Sequence, residues 1–315
     1  MNSKLWPALL CLLAACGGNF SNEDLEYLNA LPVREDLVSK LPDSNSRSGS
    51  GLAQRRDRLA VGEASALYAD TQKASREFNA GLDGLLSLLE SIRTVAPTTR
   101  EPGRRTWGPF PDRNQPGNHV RFVMERSGDF FDYRLQFKPS SAGDDAWWSF
   151  LEGSFRANAG LRKGEGDLHL FIDDAVAKGL DVGRLRGLTQ LDVGYQTREL
   201  PTEVEMIFLA LPTATPPEIR YNYRELPGGF GEMRFLLKDT DVVPGGARED
   251  VAITSRWTPD SGGDGSFTIL AGDLKGASYR ECWNAQGLLV YAKRSWELFG
   301  IGKLSDCPDL TVFGG

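Results

Sequence analysis

The chain has 315 residues, a formal net charge of −7 at pH 7, 40% hydrophobic residues and 35 glycines. An acidic balance with no basic block argues against nucleic acid as a partner. Beyond the N-terminus no apolar run approaches the roughly 18 residues that a membrane-spanning helix needs, so the rest reads as a soluble body of one large domain or two small ones.

Lys4 is followed by an apolar run from Leu5 to Ala15. Eleven residues of helix reach only about 16 Å, half the hydrocarbon thickness, which is too short to span. One basic residue, a short apolar stretch and small residues before a cut site form an export signal over residues 1–15. Leu13-Ala14-Ala15-Cys16 resembles the lipobox of bacterial lipoproteins. That resemblance implies a diacylglycerol thioether on Cys16, cleavage before it and acylation of the new N-terminus, so the membrane becomes a partner through lipid. Two or three acyl chains hold a protein firmly where one binds marginally. Gly17 is not the Asp that retains such lipoproteins at the inner membrane of enterobacteria, so the resemblance points to the outer membrane. An ordinary secretory signal cut near Ala15 is the alternative. Loss of Lys4 with the signal would take the charge from −7 to −8.

Residues 16–51 read as the lipidated cysteine and a flexible tether. Within them Ser21 and Asp24 form a capping box ahead of Leu25, Leu28 and Leu31, and Pro32 ends that short helical piece. The run 41–51, rich in Ser, Gly and Asn, is a linker by composition. Residues 52–97 are a helical segment. Leu67, Thr71, Ala74, Phe78, Leu82, Leu85, Leu89 and Ile92 recur every three or four residues, which predicts one amphipathic helix between about 62 and 96, stopped by Pro97.

From 98 to 315 the period becomes two. Val120, Phe122 and Met124 turn at Arg126-Ser127-Gly128-Asp129 into Phe131, Tyr133, Leu135 and Phe137, and alternating runs continue to Leu288–Lys293. The expected fold class is α+β, mainly β: the helix packs on an antiparallel, strongly curved sheet, barrel or sandwich of about 11 strands. By element count, a helix with such strands on a lipobox chain is similar to the periplasmic lipoprotein-carrier fold, an open barrel that shields acyl chains. A short helix is expected within 174–188.

Once Cys11 leaves with the signal and Cys16 carries lipid, Cys282 and Cys307 remain. An even remainder in an exported protein favours a disulfide, with two buried thiols or a metal pair as alternatives. The two histidines, His119 and His169, have no G-x-S-x-G elbow to serve, and no phosphate loop is present. Glu203 and Glu205 share a strand face about 7 Å apart. They, with Asp144-Asp145 and Asp173-Asp174, read as solvated carboxylates rather than a glycosidase pair. Asp239, Asp241, Asp260 and Asp264 sit in turns and lack the twelve-residue calcium loop. No cofactor and no metal is expected. Trp147, Trp148, Trp257 and Trp283 are the candidates for a carbohydrate platform. Adjacent Trp147 and Trp148 cannot both be core on a one-faced strand unless the helix covers them. The function expected is a non-catalytic, membrane-anchored envelope lipoprotein with a binding or assembly role and an envelope protein as partner. The alternatives are a carrier for an acyl chain or other apolar ligand in a curved-sheet cavity, and a carbohydrate-active enzyme.

Overall fold

The computed structural model describes residues 20–41, 60–112, 115–158, 160, 162–211, 214, 216–240, 242 and 246–314. The export signal, Cys16 and residues 42–51 of the expected linker lie outside them.

Helix α1 (Asn22–Asn29) starts with the expected capping box: the Ser21 hydroxyl accepts from the Asp24 N–H at 3.1 Å, and the Asp24 carboxylate accepts from the Ser21 N–H at 2.9 Å. After a single turn, α2 (Arg34–Leu37), the chain runs on to Leu41. Residues 20–41 are therefore not part of a tether. Tyr27, Leu31 and Leu37 are fully buried, because the sheet offers their apolar side chains a surface to leave water on.

Helix α3 (Ala66–Arg93) is the predicted amphipathic helix. Its 28 residues extend about 42 Å. Ser65 caps its start by accepting from the Tyr68 N–H. Leu67, Phe78, Leu82, Leu86 and Leu89 are fully buried, while Lys73, Arg76, Glu77 and Asp83 are exposed, so the stripe read from the sequence is the face that packs on the protein's own sheet.

The sheet follows as β1 (Thr99–Glu101), β2 (Arg104–Pro111), β3 (Asn118–Ser127), β4 (Phe130–Pro139), β5 (Trp148–Ala157), β6 (Gly164–Phe171), β7 (Leu188–Gln196), β8 (Thr202–Ala210), β9 (Glu218–Glu225), β10 (Gly231–Thr240), β11 (Glu249–Trp257), β12 (Gly263–Ala271), β13 (Ser278–Trp283), β14 (Leu289–Arg294) and β15 (Ile301–Gly302). Helix α4 (Ile172–Ala177) lies in the β6–β7 link. The strands form one antiparallel 15-stranded meander in sequence order, with β1 and β15 as its edges. This corrects the expected count of about 11, and it is neither a closed barrel nor a two-sheet sandwich. The missed strands have local causes. Strands β1 and β15 are three and two residues long, too short for alternation to register. Strand β2 carries Gly108, Pro109 and Pro111, which read as turn residues; a register shift between Trp107 and Phe110 absorbs them.

Helix α3 crosses the concave face. The Leu67 side chain lies beside Gly265 of β12, Thr71 bonds Ser255 of β11, Phe78 packs edge-on to Tyr221 and Tyr223 of β9, and Gly81 sits against Phe208 of β8. Just past the helix, the Trp107 indole N–H donates to Val95 O at 2.7 Å, which ties that end to β2. With residues 20–41 beside it, α3 from Phe78 onward fills the concave side in a core including Leu82, Leu86, Phe122, Met124, Leu151 and Met206, while Leu67 and Tyr68 at its start pack in a smaller cluster with Tyr279, Trp283 and Leu289. The core beneath α3 is thus filled by the protein's own side chains.

Several core aromatics lie flat over a glycine of the neighbouring strand. Tyr133 faces Gly153, and Trp257 faces Gly231. A Cβ on Gly231 would stand 2.3 Å from the Trp257 ring and one on Gly153 2.4 Å from the Tyr133 ring, so only glycine admits these rings. Removing the side chain on one strand lets the sheet bend toward its helix while the aromatic keeps the layer filled.

Antiparallel neighbours put successive links at alternate ends of the sheet. Links 128–129, 158–163, 197–201, 226–230, 258–262 and 284–288 share the end on which α1 docks; links 112–117, 140–147, 172–187, 211–217, 241–248, 272–277 and 295–300 share the other, distal end.

Candidate functional site

Cys282 and Cys307 form a disulfide, with Cα atoms 5.4 Å apart and 25 residues between them in sequence. Of the readings left open for these cysteines, the disulfide is the one the structure shows. It pins the tail after β15 to β13, and Phe313 beyond it packs edge-on to Phe230 and under the Arg256 guanidinium. Closing a loop of this length contributes on the order of 3 kcal/mol by restricting the unfolded chain. Cys307→Ser is expected to lower the unfolding free energy by about that much in urea titration. An unchanged midpoint would contradict it.

The carboxylates read as solvated have local partners among the described residues. Glu203 and Glu205 share the exposed face of β8 as expected, but Glu203 accepts from the Asn222 amide at 2.6 Å and Glu205 lies 4.0 Å from Arg220. Asp144 pairs with Lys138 at 2.8 Å, and Asp173 accepts from the Asp174 N–H. Asp264 pairs with Arg280 at 2.8 Å, Asp260 accepts from the Thr258 hydroxyl, and the Asp239 N–H donates to Asp250. Asp241 lies outside the described residues. Among the described residues no group of three or more His, Cys, Asp or Glu side chains is arranged to hold a metal ion.

His169 is half-exposed on the convex face. Its Nδ1 lies 2.7 Å from Asp192 on β7 and its Nε2 3.1 Å from Asp167. The Ser154 hydroxyl donates to Asp167, not to the imidazole, so the order of a Ser-His-Asp triad is not formed here. His119 opens β3 opposite Pro111 and Lys138.

The tryptophans do not make a platform. Trp257 and Trp283 are fully buried. Trp147 follows a single 3-10 turn (Asp144–Ala146), so strand alternation does not govern it, and the Arg121 guanidinium stacks 4.2 Å from its ring centroid. Trp148 opens β5 against Phe137 at 5.6 Å, with the Lys178 ammonium 5.3 Å from its ring. Cover for this pair comes from neighbouring basic side chains rather than from α3.

A cleft of about 610 Å³ opens between α1 and the β3–β4 and β5–β6 links, lined by Glu26, Arg126, Phe131, Phe155 and Arg162 among others. Arg126 pairs with Glu26 within it.

Three charged clusters escaped the sequence reading. The Asp24 carboxylate, fully buried, is held by Arg105 at 2.8 Å and Arg100 at 3.0 Å. Glu281, fully buried, accepts from the Ser65 hydroxyl at 2.6 Å, the Leu67 N–H at 2.9 Å and the Tyr279 hydroxyl, and so caps α3. Glu232 is 1% exposed among Arg224, Arg234 and Arg256. A signal existed for Glu281: it occupies the inward phase of β13 between Tyr279 and Trp283. Asp24 was read as a cap, but its partners lie 76 and 81 residues away.

Two acids set opposing pH dependences. Burial raises Asp70, helped by the Glu281 charge and opposed by Lys73, to about 6 from 3.8. Burial would raise Asp24 too, but hydrogen bonds from the Ser21 N–H, Arg105, Arg100 and the Ser21 hydroxyl outweigh it and hold it down at about 2. Asp24 therefore contributes stability that is present above about pH 4 and is lost as pH falls toward 2. Asp70 binds its proton more tightly folded than unfolded, so stability falls as pH rises from about 4 to 6 and stays lower above. From these two groups, stability peaks near pH 4. Asp70→Asn is expected to flatten the limb between pH 4 and 6 in thermal melts, an effect of about 1–3 kcal/mol. A limb of unchanged slope would refute the assignment.

Compared with known proteins, the chain matches no family, no curated protein and no solved structure.

Proposed function

We propose that this chain is a membrane-anchored lipoprotein of the bacterial envelope, acylated on Cys16, carried at the outer membrane, with a non-catalytic binding or assembly role for its sheet. The observation that carries the reading is where the body begins. Phe20 packs on the core and Ser21 caps α1 only four and five residues past Cys16, so cleavage at the lipobox leaves the described body whole. The formed disulfide suits an oxidising compartment. The non-catalytic role is supported by carboxylates spread over the surface in ion pairs, and a filled concave face gives the carrier reading no support.

The link between lipid and body is three residues, Gly17 to Asn19, not the 36-residue tether of the sequence reading. Four peptide steps from Cys16 to Phe20 reach at most about 14 Å, so an acylated chain would hold its body against the bilayer. Globomycin treatment and Cys16→Ser test the anchor. Accumulation of the uncleaved form and loss of the acyl mass are expected; a protein that is processed and released with unchanged mass would refute it.

A further inference from the structure

The 295–300 link at the distal end carries the most exposed large apolar side chains among the described residues: Leu298 is 84%, Phe299 80% and Trp296 64% exposed. The adjoining 272–277 link, joined to it by the Ser295 N–H bond to Ser278 O at 2.9 Å, adds Leu274 at 40%, and Leu270 at the end of β12 is 46% exposed. Single exposed leucines are ordinary on a soluble surface; three bulky apolar side chains within four residues of one tip are not.

From this we infer that the Trp296–Phe299 tip is a second membrane contact, inserting into the bilayer that carries the Cys16 acyl chains; the inference rests on that acylation. These side chains are largely bare, and a bilayer receives bare apolar side chains without needing a matching cavity. Its charge is already neutralised, since Glu297 pairs with Arg294 at 2.8 Å. Asp273 in the adjoining link turns its carboxylate to the Ala247 N–H, while Lys275 and Lys293 add positive charge suited to anionic headgroups. Tryptophan and phenylalanine with flanking lysine is the composition of an interfacial anchor. The short Gly17–Asn19 link supplies the remaining condition, because it keeps the body within reach of that surface and raises the tip's effective concentration there. Since α1 and the tip lie at opposite ends of the strands, attachment at both points lays the strands along the membrane plane.

The test uses the mature, acylated full chain in liposomes containing anionic lipid, with an environment-sensitive dye on the thiol introduced by Leu298→Cys. With Cys16 acylated and Cys282 paired to Cys307, that thiol is the one free to react. A blue shift of the dye on vesicles, with loss of intensity when the acyl chains carry bromine, is the expected result. Water-like emission from protein that is bound to the vesicles overturns the proposal. So does emission that shifts only when solubilised envelope proteins are added, which would make the tip a protein-docking site. Protein that does not stay on the vesicles would contradict the Cys16 anchor instead; the same dye with vesicles in excess then decides the tip by itself.

Discussion

Glu281→Ala is expected to destabilise the protein by about 3–5 kcal/mol, because it strands the groups that the carboxylate now accepts from. Those are the Ser65 hydroxyl, the Leu67 N–H and the Tyr279 hydroxyl, all inside the core at the start of α3. The N-terminal turn of a helix leaves its first N–H groups without partners, and here a side chain 214 residues further along the chain supplies the acceptor. Glu281→Gln keeps one acceptor oxygen for the Ser65 hydroxyl and the Leu67 N–H and places an amide N–H donor toward the Tyr279 hydroxyl, which can turn to accept, so about 1–2 kcal/mol is expected. Urea unfolding separates the two variants. Because the Glu281 charge also raises Asp70, the Gln variant moves the Asp70 titration downward. Equal losses in both variants, with Asp70 unmoved, would contradict the capping role.

Arg105→Ala is expected to cost about 3–5 kcal/mol, since it leaves a buried carboxylate short of its main counter-charge. Arg105 is 4% exposed and binds Asp24 at 2.8 Å and Glu23 at 2.6 Å, and its guanidinium lies 4.9 Å from the centroid of the Tyr27 ring. Arg100 alone, from the β1 edge, remains to Asp24. The loss falls on the docking of residues 20–41 rather than on the sheet, whose ladders do not pass through them. Limited proteolysis should therefore find new cuts between 20 and 41 while the β-sheet circular dichroism persists. Resistance equal to the parent chain would contradict it. In an acylated chain this variant turns a three-residue link into a long tether, which ties the packing of α1 to how closely the body sits on its membrane.

Legibility followed the range of the interactions. The α3 stripe from Leu67 to Ile92 is plain, since a 3.6-residue period over about seven turns has no other reading. The hairpin at Arg126–Asp129 was plain for the same reason at period two. The capping box at Ser21 is legible in the sequence, yet the segment around it has the look of a tether. Its few leucines look marginal alone, and only the concave sheet gives Tyr27, Leu31 and Leu37 somewhere to go. Glu203 and Glu205 share the expected face, but nothing local distinguishes a catalytic carboxylate from one beside an arginine on the next strand.

The sequence by itself determined the strand and helix periods, the capping box at Ser21 and the closeness of Cys282 and Cys307 along the chain, because each depends on residues close together. The tertiary structure decided that fifteen strands make one open meander, that α3 and residues 20–41 fill its concave side, that Asp24 and Glu281 are buried among distant partners, and that the 295–300 tip stands bare. Those outcomes depend on which distant surfaces meet and how much room they leave, and a periodic pattern carries no record of either.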